Sequence, residues 1–129
     1  MATWTKDQLQ KIAAAEELEL ASLRSDGTLS EAVTIWVVRV GDDLYVRSWK
    51  GDGGAWFRAT RGRHAGHITA GGVGRDVAFV DAAGDDINDQ IDAAYRTKYR
   101  RHGGRYVDPM VAPTARATTI KLVPRSTAA

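Results

Sequence analysis

The stretch that decides the fold is Val33-Thr34-Ile35-Trp36-Val37-Val38-Arg39-Val40, then Gly41-Asp42-Asp43, then Leu44-Tyr45-Val46-Arg47-Ser48-Trp49. Both flanks are dense in β-branched and aromatic residues, which suit a pleated, half-buried surface. The three-residue joint carries a glycine, so the pair reads as an antiparallel hairpin over 33–40 and 44–49. Alternation along the second strand puts Leu44, Val46 and Ser48 on one face and Tyr45, Arg47 and Trp49 on the other.

Upstream, Thr5 and Gln8 have the spacing of a capping box, with Leu9, Ile12 and Ala13 on one helical face behind them. Leu18 to Arg24 alternates like a strand and runs into the turn signal Asp26-Gly27. Downstream, Lys50-Gly51-Asp52-Gly53-Gly54 reads as a loop, since three glycines in five residues disfavour any regular element. A helical turn is expected over 55–60, and short strands over 66–70 and 73–80. A helix follows over 85–101, with its acids early and its bases late, as the helix dipole favours. Within it, Asp92 and Arg96 have the spacing of an i,i+4 pair, and Tyr95 and Tyr99 share a face. Gly103-Gly104 closes that helix. A loop containing Pro109 and Pro113 leads to a last strand over 117–123. Six short strands with two helices predict a small, mostly antiparallel barrel.

Composition sets the bounds. The chain has 129 residues with 43% hydrophobic and 26% charged residues, which fits a single domain, 1–129, and argues against disorder. The absence of cysteine excludes disulfides, thiolate catalysis and Cys-bound metal. No apolar run approaches the roughly 20 residues that span a bilayer. The amino terminus lacks a basic segment followed by an apolar one. A cytoplasmic protein with no membrane association is expected. The net charge of +2 is distributed in alternating blocks, so nucleic acid is not an expected partner. The block over 47–75, with six basic residues against one acid, coincides with the glycine-rich loop.

That block is the best candidate site. Arg47, Ser48 and Lys50 bring guanidinium, hydroxyl and ammonium donors within four residues, followed by glycines that let backbone approach an anion. Arg58 and Arg61 lie just beyond, and Trp49, Trp56 and Phe57 offer flat apolar walls. His64 and His67, three apart on a strand, face opposite sides and make a poor metal pair. The acids from Asp81 to Asp92 match the start of a helix and lack the register of a calcium loop. No metal site and no catalytic triad is assigned.

The runs Thr34 to Arg39, Leu44 to Ser48 and Trp56-Phe57-Arg58, with Asp92 to Tyr99 and Ala117 to Arg125, resemble the FMN-binding split-barrel superfamily. The resemblance spans about Trp4 to Arg125 and is strongest to a small bacterial family labelled a domain of unknown function. The superfamily includes relatives of pyridoxamine phosphate oxidase and deazaflavin-dependent reductases. It implies a mainly β fold, a six-stranded antiparallel split β-barrel with flanking helices, assembled as a homodimer with flavin at the interface. It further implies FMN or a deazaflavin as cofactor. Arg47, Ser48 and Lys50 would be phosphate contacts, Gly51 would provide backbone approach, and Trp56 and Arg58 would line the cofactor. The implied function is an oxidoreductase that moves hydride to or from a small organic substrate. A non-catalytic module for a phosphorylated or anionic small molecule is the alternative. The paired arginine-to-lysine phosphate motif of pyridoxamine phosphate oxidases is absent, and no catalytic residue is assigned.

Overall fold

The computed structural model describes residues 3–51, 54–82 and 84–125, the side chains of 61–63 excepted. Helix α1 (Lys6–Ala14) starts as expected: Thr5 Oγ1 accepts from the Gln8 amide and Gln8 Oε1 accepts from the Thr5 amide. The strands are β1 (Leu18–Ser22), β2 (Val33–Ile35), β3 (Val38–Val40), β4 (Asp43–Val46), β5 (Ala65–Ala70), β6 (Val73–Asp81) and β7 (Ile120–Pro124). Helices α2 (Ala55–Arg63), α3 (Asp85–Tyr99), α4 (Gly104–Val111) and α5 (Pro113–Arg116) complete the chain.

The strands form one antiparallel sheet in the order β2-β1-β5-β6-β7-β4-β3. The two outermost strands, β2 and β3, are separated by only Trp36 and Val37. A two-residue link between opposite edges forces the sheet to curl until those edges approach. The result is a barrel split along one seam. The run 33–40 is thus two strands, not the single one expected, which makes seven strands instead of six. The β3–β4 hairpin itself forms as expected, with Val38 opposite Tyr45 and Val40 opposite Asp43.

Two cores follow from the alternation. Inside the curl, Leu18, Leu20, Leu44, Val46, Ile68, Val77 and Leu122 pack with Leu9 and Ile12 of α1. The Trp4 indole donates to the Leu122 carbonyl at 3.0 Å and tethers the segment before α1 to β7. On the outer face, Val38 and Tyr45 pack with Ile91, Tyr95 and Tyr99 of α3 and with Val107 and Met110 of α4. Segment 104–116, expected as loop, is helical: Val107 and Met110 form an apolar i,i+3 pair that the second core buries. Pro109 lies within α4, where it removes one helical donor.

Candidate functional site

Strand β4 ends at Val46, and the next residues enter two different environments. Arg47 is on the face shared with Tyr45, so its side chain runs under α3 and is fully buried. Its Nε donates to Thr119 Oγ1 at 2.9 Å. Its Nη1 donates to Asp92 Oδ1 at 2.5 Å and to the Met110 carbonyl at 2.9 Å. Its Nη2 donates to Asn88 Oδ1 at 2.8 Å and to the Asn88 carbonyl at 3.2 Å. All five guanidinium N–H groups are therefore committed inside the protein. Arg47 forms part of a cavity wall, but it has no donor left for a ligand, which corrects its expected role as a phosphate contact. It joins β4 to α3, to the last turn of α4 and to the start of β7.

Asp92 anchors the same network. Its second oxygen accepts from Arg116 at 2.5 Å, and Arg116 also reaches Asp89 at 3.0 Å. The i,i+4 pairing of Asp92 with Arg96 is not made, because Arg47 and Arg116 occupy both carboxylate oxygens. A buried carboxylate held by two guanidinium groups meets the requirement that a buried charge be paired. Thr118 and Thr119, read from sequence as ordinary strand residues, are buried members of the network: the Ser48 amide donates to Thr118 Oγ1 at 2.9 Å. The guanidinium lies 5.5 Å from the Tyr95 ring centroid. The Tyr95 hydroxyl is the one buried side-chain polar atom without a hydrogen-bond partner among the described residues, and burial pushes its pKa up.

Past Arg47 the chain lines a cavity of about 860 Å³. Its walls include Arg47, Ser48, Trp49 and Lys50 after β4, Gly54 to Trp56 at the start of α2, Val33 to Trp36 at the seam, and Arg105, Tyr106, Pro109 and Met110 from α4. Three of the four tryptophans of the chain converge here. Trp36 stacks on Tyr99 at 3.9 Å, nearly parallel, and Trp56 meets Phe57 edge-on at 6.2 Å. Lys50 Nζ lies 5.3 Å from the Trp49 ring centroid. Trp49 is 61% exposed and Tyr106 58%, so two of the largest exposed apolar side chains flank this cavity.

The glycines divide by role. Gly51, at φ +67°, is buried outside the cavity lining; its amide donates to the Ser48 carbonyl and an added Cβ would meet Thr114 Cγ2 at 2.3 Å. It is glycine because α5 packs on it; Gly54, not Gly51, lines the cavity. Gly54 caps α2 without a side chain, and no acidic residue occupies the first turn of that helix. The amides of Ala55 and Trp56 precede the first helical bond, from Arg58 to the Gly54 carbonyl. Ser48 is 1% exposed, and its Oγ lies 2.6 Å from where a Gly54 Cβ would stand.

Of the expected site residues, Arg47, Ser48, Lys50 and Trp56 share the cavity, while Gly51 and the exposed Arg58 are not among its lining. Gly53 and the Arg61 side chain lie outside the described residues. The α4 residues and Trp36 were missed. The i,i+3 spacing of Val107 and Met110 was the available signal for α4.

At the seam, Lys98 Nζ donates to the Val37 carbonyl at 2.7 Å, and burial pushes its pKa down to about 8 against the opposing pull of Glu16. Glu16, held below the usual carboxylate range first by its hydrogen bond to His102, also binds Arg101.

Comparison with solved structures places the fold. An F420 reductase superposes with a TM-score of 0.54 at 20% identity over 92% of each chain. A FAD-binding protein from Mesorhizobium loti gives 0.56 at 16% identity, over 97% of this chain and 93% of that one. HutZ, the heme storage protein from Vibrio cholerae, gives 0.58 at 10% identity, over 97% and 92%. At these identities the shared property is the split-barrel fold. Among curated proteins, none matches the chain. Residues 8–122 match the model of DUF2255, described as an uncharacterized protein conserved in bacteria. No helix among the described residues is long and apolar enough to cross a membrane.

Proposed function

The chain belongs to the bacterial family DUF2255, and for it we propose a binding site for a flavin-type cofactor, FMN or a deazaflavin, used in hydride transfer with a small organic substrate. One observation supports this reading: Trp36 and Trp56, Ser48, Lys50 and the start of α2 line one cavity. A fused planar ring with an anionic tail is the chemistry that such a pairing accommodates. The tail has donors at Ser48 Oγ, at the first amides of α2 and at Lys50, where the positive end of a helix dipole meets a mobile ammonium. The ring has Trp36 and Trp56.

When bound, the flavin accepts or donates hydride; the protein contributes binding, orientation and exclusion of water. Arg47 is a positioning residue in this scheme. By tying β4, α3, α4 and β7 together it sets where Ser48 and the α4 wall stand. Trp36 is held in place by its stack on Tyr99. The exposed Trp49 gives the cavity an apolar edge that a second copy of the chain would cover, in keeping with a homodimer. The rival reading is a redox-silent module for an anionic small molecule. Haem is the less favoured ligand, because no histidine is among the described residues that line the cavity.

Titration of the purified protein with FMN, FAD, F420 and hemin, read by tryptophan quenching and melting temperature, tests the proposal. Micromolar binding of a flavin, a rise in melting temperature and reduction of the bound flavin by a nicotinamide donor are expected. A flavin that binds but cannot be reduced supports the redox-silent module. No response to any flavin overturns the assignment.

A further inference from the structure

The cavity carries more positive charge than the phosphate corner accounts for. Three cationic side chains line it, Arg47, Lys50 and Arg105, together with one acid, Glu17. Arg47 is fully committed to internal partners. Lys50 belongs to the corner beside Ser48. Arg105 comes from a different layer: α4 packs on α3 and α5, whereas α2 packs on β1. Arg105 forms no ion pair among the described residues, although Asp108 is three positions along the same helix.

The segment that presents Arg105 is firmly held. Met110 and Val107 are buried in the second core, and the Met110 carbonyl is fixed by Arg47 Nη1. The amides of Tyr106 and Val107 donate to the Gly103 carbonyl, closing the first turn. A rigid rim therefore presents an uncommitted guanidinium beside a 58% exposed tyrosine ring. Nothing in the packing of α4 explains that pair, since the buried face of the helix is made by other residues.

We infer that Arg105 and Tyr106 form a second subsite in the cavity, for a planar reactant bearing a carboxylate. The guanidinium fork matches a carboxylate with two parallel hydrogen bonds, a geometry that a lysine does not reproduce. The Tyr106 ring covers the flat body of that reactant. Glu17, of opposite sign on the same cavity wall, repels a carboxylate placed the other way round and so orients it. The identification of this ligand as the second reactant rests on the flavin reading; the carboxylate specificity of Arg105 does not.

Benzoate and its neutral counterpart benzamide are the probes, titrated calorimetrically into the protein with and without FMN. In the parent, benzoate should bind about tenfold more tightly than benzamide, the scale of one charge-assisted contact. Arg105→Gln should abolish that preference, Arg105→Lys should retain part of it, and Tyr106→Ala should weaken both probes alike. Arg96→Gln, an exposed arginine of α3 outside the cavity, should leave the preference intact. In Arg105→Gln the FMN affinity should stay within about twofold of the parent. A parent that shows no preference, or an Arg105→Gln protein that keeps it, overturns the subsite. An FMN affinity that falls together with benzoate affinity also overturns it, because Arg105 would then hold the cofactor tail. If the parent binds no flavin, the flavin reading fails alone, and the benzoate comparison without FMN still decides the role of Arg105.

Discussion

The phenol oxygen of Tyr99 lies 3.1 Å from both the amide nitrogen and the carbonyl oxygen of Val37. It accepts from the amide and donates to the Glu16 carbonyl at 2.9 Å, with the Val37 carbonyl as a second acceptor. Val37 is the residue at which the chain passes from β2 to β3. Its peptide groups lie outside both strands, and a buried peptide group without a partner is costly. Two side chains from α3 satisfy the barrel seam, Tyr99 at the Val37 amide and Lys98 with Tyr99 at its carbonyl.

Tyr99→Phe keeps the stack on Trp36 and removes only the hydroxyl. The Val37 amide then loses its partner while remaining buried. The expected cost is about 1–3 kcal/mol of unfolding free energy. It should appear as a lower urea midpoint at an unchanged slope. A midpoint equal to that of the parent would mean that water or a relaxed seam replaces the phenol.

Arg47 and Lys50 should respond in opposite ways. Arg47→Ala leaves Asp92 with one of its two guanidinium partners and unties β4 from α3, α4 and the start of β7, so a loss of about 3–5 kcal/mol in stability is expected. Lys50→Ala changes an exposed side chain and should alter stability by no more than about 0.5 kcal/mol. It should lower FMN affinity by about tenfold, or roughly 1.4 kcal/mol. Denaturation curves and flavin titrations on the two variants separate the strut from the ligand contact. An Arg47→Ala protein with parental stability but lost flavin binding would restore the direct contact that its hydrogen bonds argue against.

What the chain reveals without coordinates depends on how local the signal is. The hairpin, the Thr5 capping box and the acid-first α3 are written in neighbouring residues and were legible. The break at Trp36–Val37 was not, because eight consecutive strand-forming residues look continuous whether or not they pair with one neighbour throughout. Gly103, Gly104, Pro109 and Pro113 hid α4, since local breakers outweighed one short apolar i,i+3 pair. The direction of Arg47 was partly legible: alternation placed it with Tyr45, on the face that α3 covers. An arginine at a strand end reads alike whether it meets a ligand or a buried Asp92, and only the position of α3 distinguishes the two.

The pair Ser48 and Gly54 offers a test of the anion corner by double substitution. At φ −70°, alanine at 54 is conformationally ordinary, yet its Cβ would stand 2.6 Å from Ser48 Oγ. Gly54→Ala should destabilise the parent by about 1–3 kcal/mol, the usual cost of overpacking. In a Ser48→Ala background the next neighbours are 3.5 and 3.8 Å away, so the same change should be nearly neutral. Gly51→Ala should be destabilising in both backgrounds, because its φ of +67° and the Thr114 contact are independent of Ser48. Additive effects of the 48 and 54 substitutions would show that the two residues do not touch.

Lys98 gives the protein a pH dependence of calculable sign. Burial among α3 and the seam lowers its pKa from 10.5 to about 8, with Glu16 as the opposing charge. Below pH 8 the ammonium is charged in both folded and unfolded chains, and its desolvation opposes folding. Between about pH 8 and the unfolded lysine value, the unfolded chain binds more protons, so this group makes stability rise with pH. Tyr99, whose pKa burial raises, begins to act only above pH 10, where a raised phenol pKa makes stability fall as pH rises. Lys98→Met removes the titrating amine and retains most of the stem. Unfolding free energies of parent and variant, measured every half unit from pH 7 to 10, should therefore diverge in the parent's favour above pH 8. Parallel curves across that range would place the Lys98 pKa at its ordinary value. The ammonium would then be hydrated at the groove it borders with Ala13, Arg39 and Ala94, with its bond to the Val37 carbonyl incidental to the seam.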